Sequence, residues 1–141
     1  MQDPIIDVTD QLDQYAMDVI GSGLNAFNDE NTGINDRLPL GVLVKDPASG
    51  KVVGGVTGRT SLGLLFLDVF YLPKEYRQAG LGSRILQLAE NEGRRRGCCA
   101  AVLYTINFQA PGFYERHGWR RFGEIPCLPP GTSRIFMTKD L

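Results

Sequence analysis

The residues that point most directly to chemistry are Arg77-Gln78-Ala79-Gly80-Leu81-Gly82-Ser83. A glycine-rich loop that runs into a helix is an anion site, because its N–H groups converge where the helix dipole places partial positive charge. Gly80 and Gly82 let backbone approach a phosphate with no Cβ in the way, and Arg77 adds a forked donor. Two other phosphate loops do not fit. A Walker loop needs a lysine before its Ser or Thr, and Gly82 precedes Ser83. A dinucleotide fingerprint needs three spaced glycines near the start of a βαβ unit, and here two stand in mid-chain.

A second segment follows at Asn107-Phe108-Gln109-Ala110-Pro111-Gly112-Phe113-Tyr114-Glu115-Arg116-His117-Gly118-Trp119. The spacing Arg-x-x-Gly-x-Gly, joined to this segment in strand–helix order, resembles the GNAT superfamily of N-acetyltransferases over most of the chain. The Phe-Gln-Ala-Pro-x-Phe-Tyr wording is similar to a subgroup of small bacterial acetyltransferases. In that subgroup a histidine often follows the late Pro-Gly, whereas Thr132 stands there, so no role is carried to it. The resemblance implies acetyl-CoA as cosubstrate, with Gln78 to Ser83 on its pyrophosphate. Phe70, Tyr71 and Leu72, at the end of a strand splayed from its neighbour, are implied to receive the pantetheine and the thioester. Asn107 is implied to contact the pantetheine, and Tyr114 to protonate the leaving thiolate.

A phenol holds its proton at neutral pH, so a donor role for Tyr114 is chemically sound, beside a packing role against the core. Asp68 interrupts an apolar strand near the expected thioester. Buried there, it would have a raised pKa and serve as general base; otherwise it bonds a neighbouring backbone group. Asp29, Glu30 and Asp36 lie in a polar stretch where the superfamily builds its acceptor site. They are read as attracting a cationic amine, against the alternative of a solvated loop. His117, beside Arg116 in a last helical turn, is read as structural. Cys98 and Cys99 are read as small core hydrophobes, which leaves direct attack in a ternary complex rather than an acetyl-enzyme.

These residues need a frame to hold them. Ile5 to Val8 reads as a short first strand, and Asp10 to Ile20 as a helix capped by Thr9 or Asp10. Gly21 to Arg37, rich in glycine and asparagine, reads as a short helix and a mobile loop. Leu40 to Lys45 and Val52 to Arg59 read as a hairpin about Asp46 to Gly50. Leu62 to Leu72 is the strongest strand, and Gly82 to Arg96 a helix with Leu81, Ile85, Leu88 and Ala89 inward and Gly97 as its stop. Cys98 to Thr105, a helix over Gln109 to His117, and strands over Trp119 to Ile125 and Arg134 to Thr138 complete the order. The expected fold is α/β (α+β), a mixed, mostly antiparallel sheet of six to seven strands with helices on both faces, in one domain over residues 1–141.

The formal charge of -1 excludes bulk nucleic-acid binding. No apolar run is long enough to span a membrane, and three cysteines make a poor disulfide framework, so a cytoplasmic setting is expected. A single histidine and no Cys-x-x-Cys pair make a metal site unexpected. The reading is an N-acetyltransferase acting on a primary amine of a small molecule or an exposed amino group, with a homodimer possible from the family. The alternative is a non-catalytic acyl-CoA-binding regulatory module on the same fold.

Overall fold

The computed structural model describes residues 2–141, which form two compact units, one ending at Asn35 and one spanning Asp36–Leu141. The first unit is essentially one helix, α1 (Gln14–Thr32), capped by Asp13, whose carboxylate accepts the Ala16 N–H at 2.8 Å. The expected first strand at Ile5 to Val8 does not form; those residues are irregular and exposed. The helix also runs on through Gly21 and Gly23 to Thr32, where a separate short helix and a mobile loop were expected. Each glycine costs a helix about 1 kcal/mol without breaking it. Ile20, Leu24 and Phe27 keep the helical period across the gap, and the stop comes at Gly33, which is left-handed at φ 71°.

The second unit is a six-stranded sheet ordered β1-β2-β3-β4-β6-β5. Its strands are β1 (Leu38–Lys45), β2 (Val52–Ser61), β3 (Leu64–Tyr71), β4 (Ala100–Ile106), β5 (Arg120–Pro126) and β6 (Ser133–Asp140). All neighbours are antiparallel except β3 and β4, which the helix α2 (Leu81–Arg95) connects. A short helix α3 (Pro111–Arg116) follows β4. The fold is therefore the expected mixed, mostly antiparallel α/β type.

Local chemistry sets the boundaries. Leu62 and Gly63, expected inside β3, both have positive φ and form the tight turn between β2 and β3. The inward stripe of α2 is Ile85, Leu86, Ala89 and Gly93, while Leu88, expected inside, is exposed. A Cβ on Gly93 would lie 3.1 Å from the Leu65 side chain, so the helix packs there at the closest approach a glycine allows. Alternate residues of the strands fill the core beneath it: Leu65 and Leu67 of β3, Ala101 and Leu103 of β4, and Ile135 and Met137 of β6. Helix α2 and the sheet thus form one rigid support for the loop between β3 and α2.

Candidate active site

The parallel pairing of β3 with β4 stops early. Cα partners run from Leu64↔Ala100 to Phe66↔Val102, yet β3 continues to Tyr71 and β4 to Ile106. A bulge lies at the divergence. Val69 and Leu67 face consecutive residues of β2, Thr57 and Gly58, so Asp68 is the extra residue. Beyond it the facing edges of β3 and β4 have lost each other as partners. Their main-chain groups border a cleft of about 680 Å³ lined by Phe70, Tyr71 and Leu72 on one side and Tyr104 and Thr105 on the other. A crevice at the carboxyl ends of parallel strands is where open α/β sheets bind ligands.

The glycine loop closes one end of this cleft. Gly80, Gly82 and Ser83 line it, as does Arg77. The first helical bond here is Arg84 N–H to Gly80 O at 3.1 Å, so the N–H groups of Leu81, Gly82 and Ser83 precede it and are available to a ligand. Ala79 and Gly80 are both left-handed, at φ 63° and 73°, which turns the chain sharply into α2. Arg77 is half committed. Its Nε donates to Leu72 O at 2.7 Å, which ties the loop to the strand end and spends that carbonyl. Its remaining guanidinium nitrogens are left for the cleft. A Cβ on Gly82 would meet the Phe113 ring at 3.5 Å, so the glycine keeps the helix entrance open between loop and aromatic wall.

Helix α3 forms that wall. Pro111 occupies its first turn, and Phe113 and Tyr114 point at β3, with ring centroids 6.0 and 6.5 Å from Phe70. Tyr114 is 8% exposed and also packs edge-on against the buried Trp119. Burial pushes its phenol up to about 12. Among the described residues its hydroxyl bonds to no other group, and it lines the cleft. The packing role and the donor role weighed for this tyrosine are thus both compatible with its position.

The structure gathers Phe70, Tyr71, Leu72, Arg77, Gly80, Gly82, Ser83 and Tyr114 around one cleft. Gln78, Ala79 and Leu81 shape the loop without lining it. Asn107 is turned elsewhere: its amide donates to Gly131 O at 2.8 Å and its carbonyl accepts from Ser133 N–H at 3.2 Å, which pins the β5–β6 loop. Asp68 lacks the burial that a base role required. As the bulge residue it projects to an open face, where Arg59 grips both its carboxylate oxygens at 2.8 and 2.9 Å and lies over the Phe66 ring. Asp36 accepts the Leu62 N–H at 3.0 Å, at the far end of β3. Eight residues of strand put that turn roughly 26 Å from Phe70. Asp29 and Glu30 belong to α1 in the first unit.

Sequence reasoning passed over Gln109, whose side-chain oxygen accepts from Ile106 N–H at 2.9 Å and Thr105 Oγ1 at 3.1 Å. These bonds tie the side chain to the end of β4, and Gln109 lines the cleft with Phe108 and Ala110. A glutamine three residues past the end of a strand that must splay is the signal for it. Cys98 is a buried thiol raised by desolvation, and no cysteine lines the cleft. Among the described residues no three His, Cys, Asp or Glu side chains are grouped as a metal site requires, and no helix is long and apolar enough to cross a membrane.

A splayed parallel pair, a left-handed glycine turn into a helix N-terminus, and a phenol on the opposite wall define the acetyltransferase class of this fold. The profile of the Acetyltransferase (GNAT) family matches residues 11–119, and the chain belongs to that family. It is 31% identical over 132 residues to acetyltransferase Atu2258 of Agrobacterium fabrum, covering 94% of this chain and 96% of the relative. It is 39% identical over 93 residues to blasticidin-S acetyltransferase of Streptomyces morookaense, covering 65% of this chain and 68% of the relative. The crystal structure of an acetyltransferase from Agrobacterium tumefaciens superposes with a TM-score of 0.90 at 30% identity, covering 98% of this chain and 100% of that one. The chain is an acetyltransferase.

Proposed function

We propose that this enzyme moves acetyl from acetyl-CoA to a primary amine of a small molecule or an exposed amino group, by direct attack in a ternary complex. The observation that carries the reading is the continuity of the cleft. It runs from Gly82 and Ser83 at the start of α2, past the strand end Phe70 to Leu72, to Tyr114. The order matches an anionic pyrophosphate, an amide-bearing arm and a thioester. Acetyl-CoA supplies the activated acyl group. The loop N–H groups and Arg77 bind its pyrophosphate, and the unpaired edge of β3 bonds the pantetheine amides and polarises the thioester oxygen. The amine nitrogen forms the new C–N bond as the C–S bond breaks. Its surplus proton leaves to water in the open cleft, and Tyr114 O–H hydrogen-bonds the departing sulfur. The absence of a cysteine from the lining supports direct attack.

Blasticidin-S acetyltransferase, by its name, acts on a small antibiotic, which favours a small-molecule amine here. Asp29 and Glu30 are the acids we assign to attracting that amine as a cation. Asp36 and Asp68 carry no part of this reading, because each is bonded away from the cleft. The homodimer belongs to the same proposal and rests on the resemblance to the family alone. Sedimentation velocity decides it, a monomer at micromolar concentration ending this part.

Thiol release from acetyl-CoA with a panel of amines tests the activity. Turnover with at least one cationic amine is expected, and binding of acetyl-CoA without turnover on any amine refutes the proposed acceptor class. For the acceptor acids, the Asp29→Asn/Glu30→Gln variant is expected to raise KM for the amine and leave KM for acetyl-CoA unchanged. Unchanged KM for both leaves these acids as ordinary surface.

A further inference from the structure

Ser83 is the third residue of α2 and lines the loop end of the cleft. Its hydroxyl lies 2.9 Å from Nε2 of His117, the residue that ends α3. One hydrogen bond therefore joins the helix that begins at the glycine loop to the helix that carries Tyr114. The imidazole is further held edge-on against Phe113, with ring centroids 4.9 Å apart. Its carbonyl accepts from Lys139 Nζ at 2.7 Å, and the same ammonium donates to Glu90 at 2.6 Å. These groups, with Gln87 and Arg94, border a second cavity of about 260 Å³ that shares Ser83 with the main cleft. His117 is thus reached from the second cavity while its ring nitrogen acts on a residue of the first.

Whether Nε2 of the imidazole carries a hydrogen decides what Ser83 offers. A neutral Nε2 that accepts takes the serine hydrogen for itself. An imidazolium Nε2 only donates, so Ser83 Oγ becomes the acceptor and its own hydrogen is released towards the cleft. An anion there needs donors and gains from nearby positive charge. Anion binding at Ser83 and proton uptake at His117 therefore support each other, as linkage requires. The charged groups facing His117 are Lys139 from β6, Glu90 and Arg94 from α2, and Arg116 on its own helix. Of these side-chain types, imidazole is the one that titrates in the physiological range.

We propose that His117 is a positioning residue of the phosphate site, turning the Ser83 hydroxyl into a donor for the cosubstrate and making that binding proton-linked. The inference rests on the reading that the N-terminus of α2 receives the pyrophosphate.

The probe is 3′-dephospho-coenzyme A, because the monoester phosphate of the complete coenzyme titrates in the same range as imidazole. Its Kd is measured by calorimetry between about pH 5.5 and pH 8.5. Wild type is expected to bind about fivefold or more tightly at the acid end, with a buffer-dependent enthalpy that reports proton uptake. Ser83→Ala, His117→Phe and His117→Gln are each expected to flatten the pH dependence. His117→Gln, which keeps a side-chain partner for Ser83, should retain more affinity at high pH than His117→Phe. The Ser83→Ala/His117→Phe pair should bind no more weakly than the worse single variant. A pH dependence that persists in folded Ser83→Ala and His117→Gln proteins overturns the inference, as does a flat wild type. Gly82→Val separates the two levels. If it binds the probe normally, the pyrophosphate reading itself fails; if it abolishes binding while the His117 variants keep the wild-type slope, only the present inference falls.

Discussion

Tyr114 shows how burial tunes a residue for one task. An ordinary phenol titrates near 10 and a simple thiol near 8.5. Desolvation pushes Tyr114 to about 12. Handing its proton fully to a free thiolate is then uphill by roughly 5 kcal/mol. The hydroxyl therefore acts mainly as a hydrogen-bond donor to sulfur as charge develops there, an interaction with a charged group worth about 1.5–3 kcal/mol. Tyr114→Phe is expected to lower kcat about 10- to 100-fold and leave acetyl-CoA affinity unchanged, read by steady-state kinetics beside calorimetry. Wild-type kcat in the variant assigns the sulfur to water. The same shift has a consequence for stability. The folded pKa lies above the unfolded one, so the proton is held more tightly in the folded state. The contribution, roughly 2–3 kcal/mol, is complete below about pH 10 and is lost as pH rises towards 12. Urea unfolding of wild type across that range should show this alkaline loss, and Tyr114→Phe should lack its share of it. At the other end of the cleft, Gly82→Val would push branched methyls into the Phe113 ring, already 3.5 Å from the Cβ position. It is expected to abolish the thermal shift given by acetyl-CoA while the protein still unfolds cooperatively.

Secondary-structure elements hold these residues through a few polar ties. Arg96, just past α2, bonds Glu92 on its own helix at 2.8 Å and reaches across to Pro39 O at 3.0 Å and the buried Thr60 hydroxyl at 3.1 Å. Removing it takes a partner from a buried hydroxyl and from the Pro39 carbonyl, so Arg96→Ala should cost about 2–3 kcal/mol in denaturant unfolding. A cost below ~0.5 kcal/mol would mean that water replaces it freely. Arg95 and Arg96 also hold the Glu92 carboxyl down at about 2. That contribution is present above the ordinary glutamate range and is lost as pH falls towards 2, and Glu92→Gln should remove it. The sequence made this part of the frame readable because α2 and β3 carry strong local periods and a glycine stop. Local pattern failed where the deciding contact was distant. Asp68 looks like a buried base in the apolar run of β3, and only pairing with β2 reveals it as a bulge turned towards Arg59. Asn107 looks like a cofactor ligand in its motif, and only the return of β6 shows that it holds Gly131 and Ser133. Leu62 reads as strand until its positive φ makes it half of a turn.

At the scale of the whole molecule, the net charge of -1 conceals a division. Residues 1–35 hold seven acids (Asp3, Asp7, Asp10, Asp13, Asp18, Asp29 and Glu30) and no Lys or Arg, which leaves +6 on residues 36–141. The unit that contains the cleft is therefore strongly basic. Its charge favours the approach of small anions and suits a cosubstrate that carries several phosphate charges. Short-range bonds from the loop N–H groups are little affected by salt, whereas the long-range share is screened beyond about 10 Å at 0.1 M ionic strength. Raising salt from about 0.01 M to about 1 M shrinks the screening length from about 30 Å to about 3 Å. The association rate for acetyl-CoA should fall steeply across that range, and its dissociation rate should change little. Stopped-flow traces separate the two rates. A salt-independent association rate would mean that the +6 is spread over surfaces remote from the cleft, and that the loop N–H groups and Arg77 hold the cosubstrate without steering. A salt effect confined to dissociation would place the screened charges inside the bound complex instead. Arg77→Gln then distinguishes local from global charge: it should speed dissociation while leaving the salt slope of association nearly intact, since it removes one of the fifteen cations of the chain.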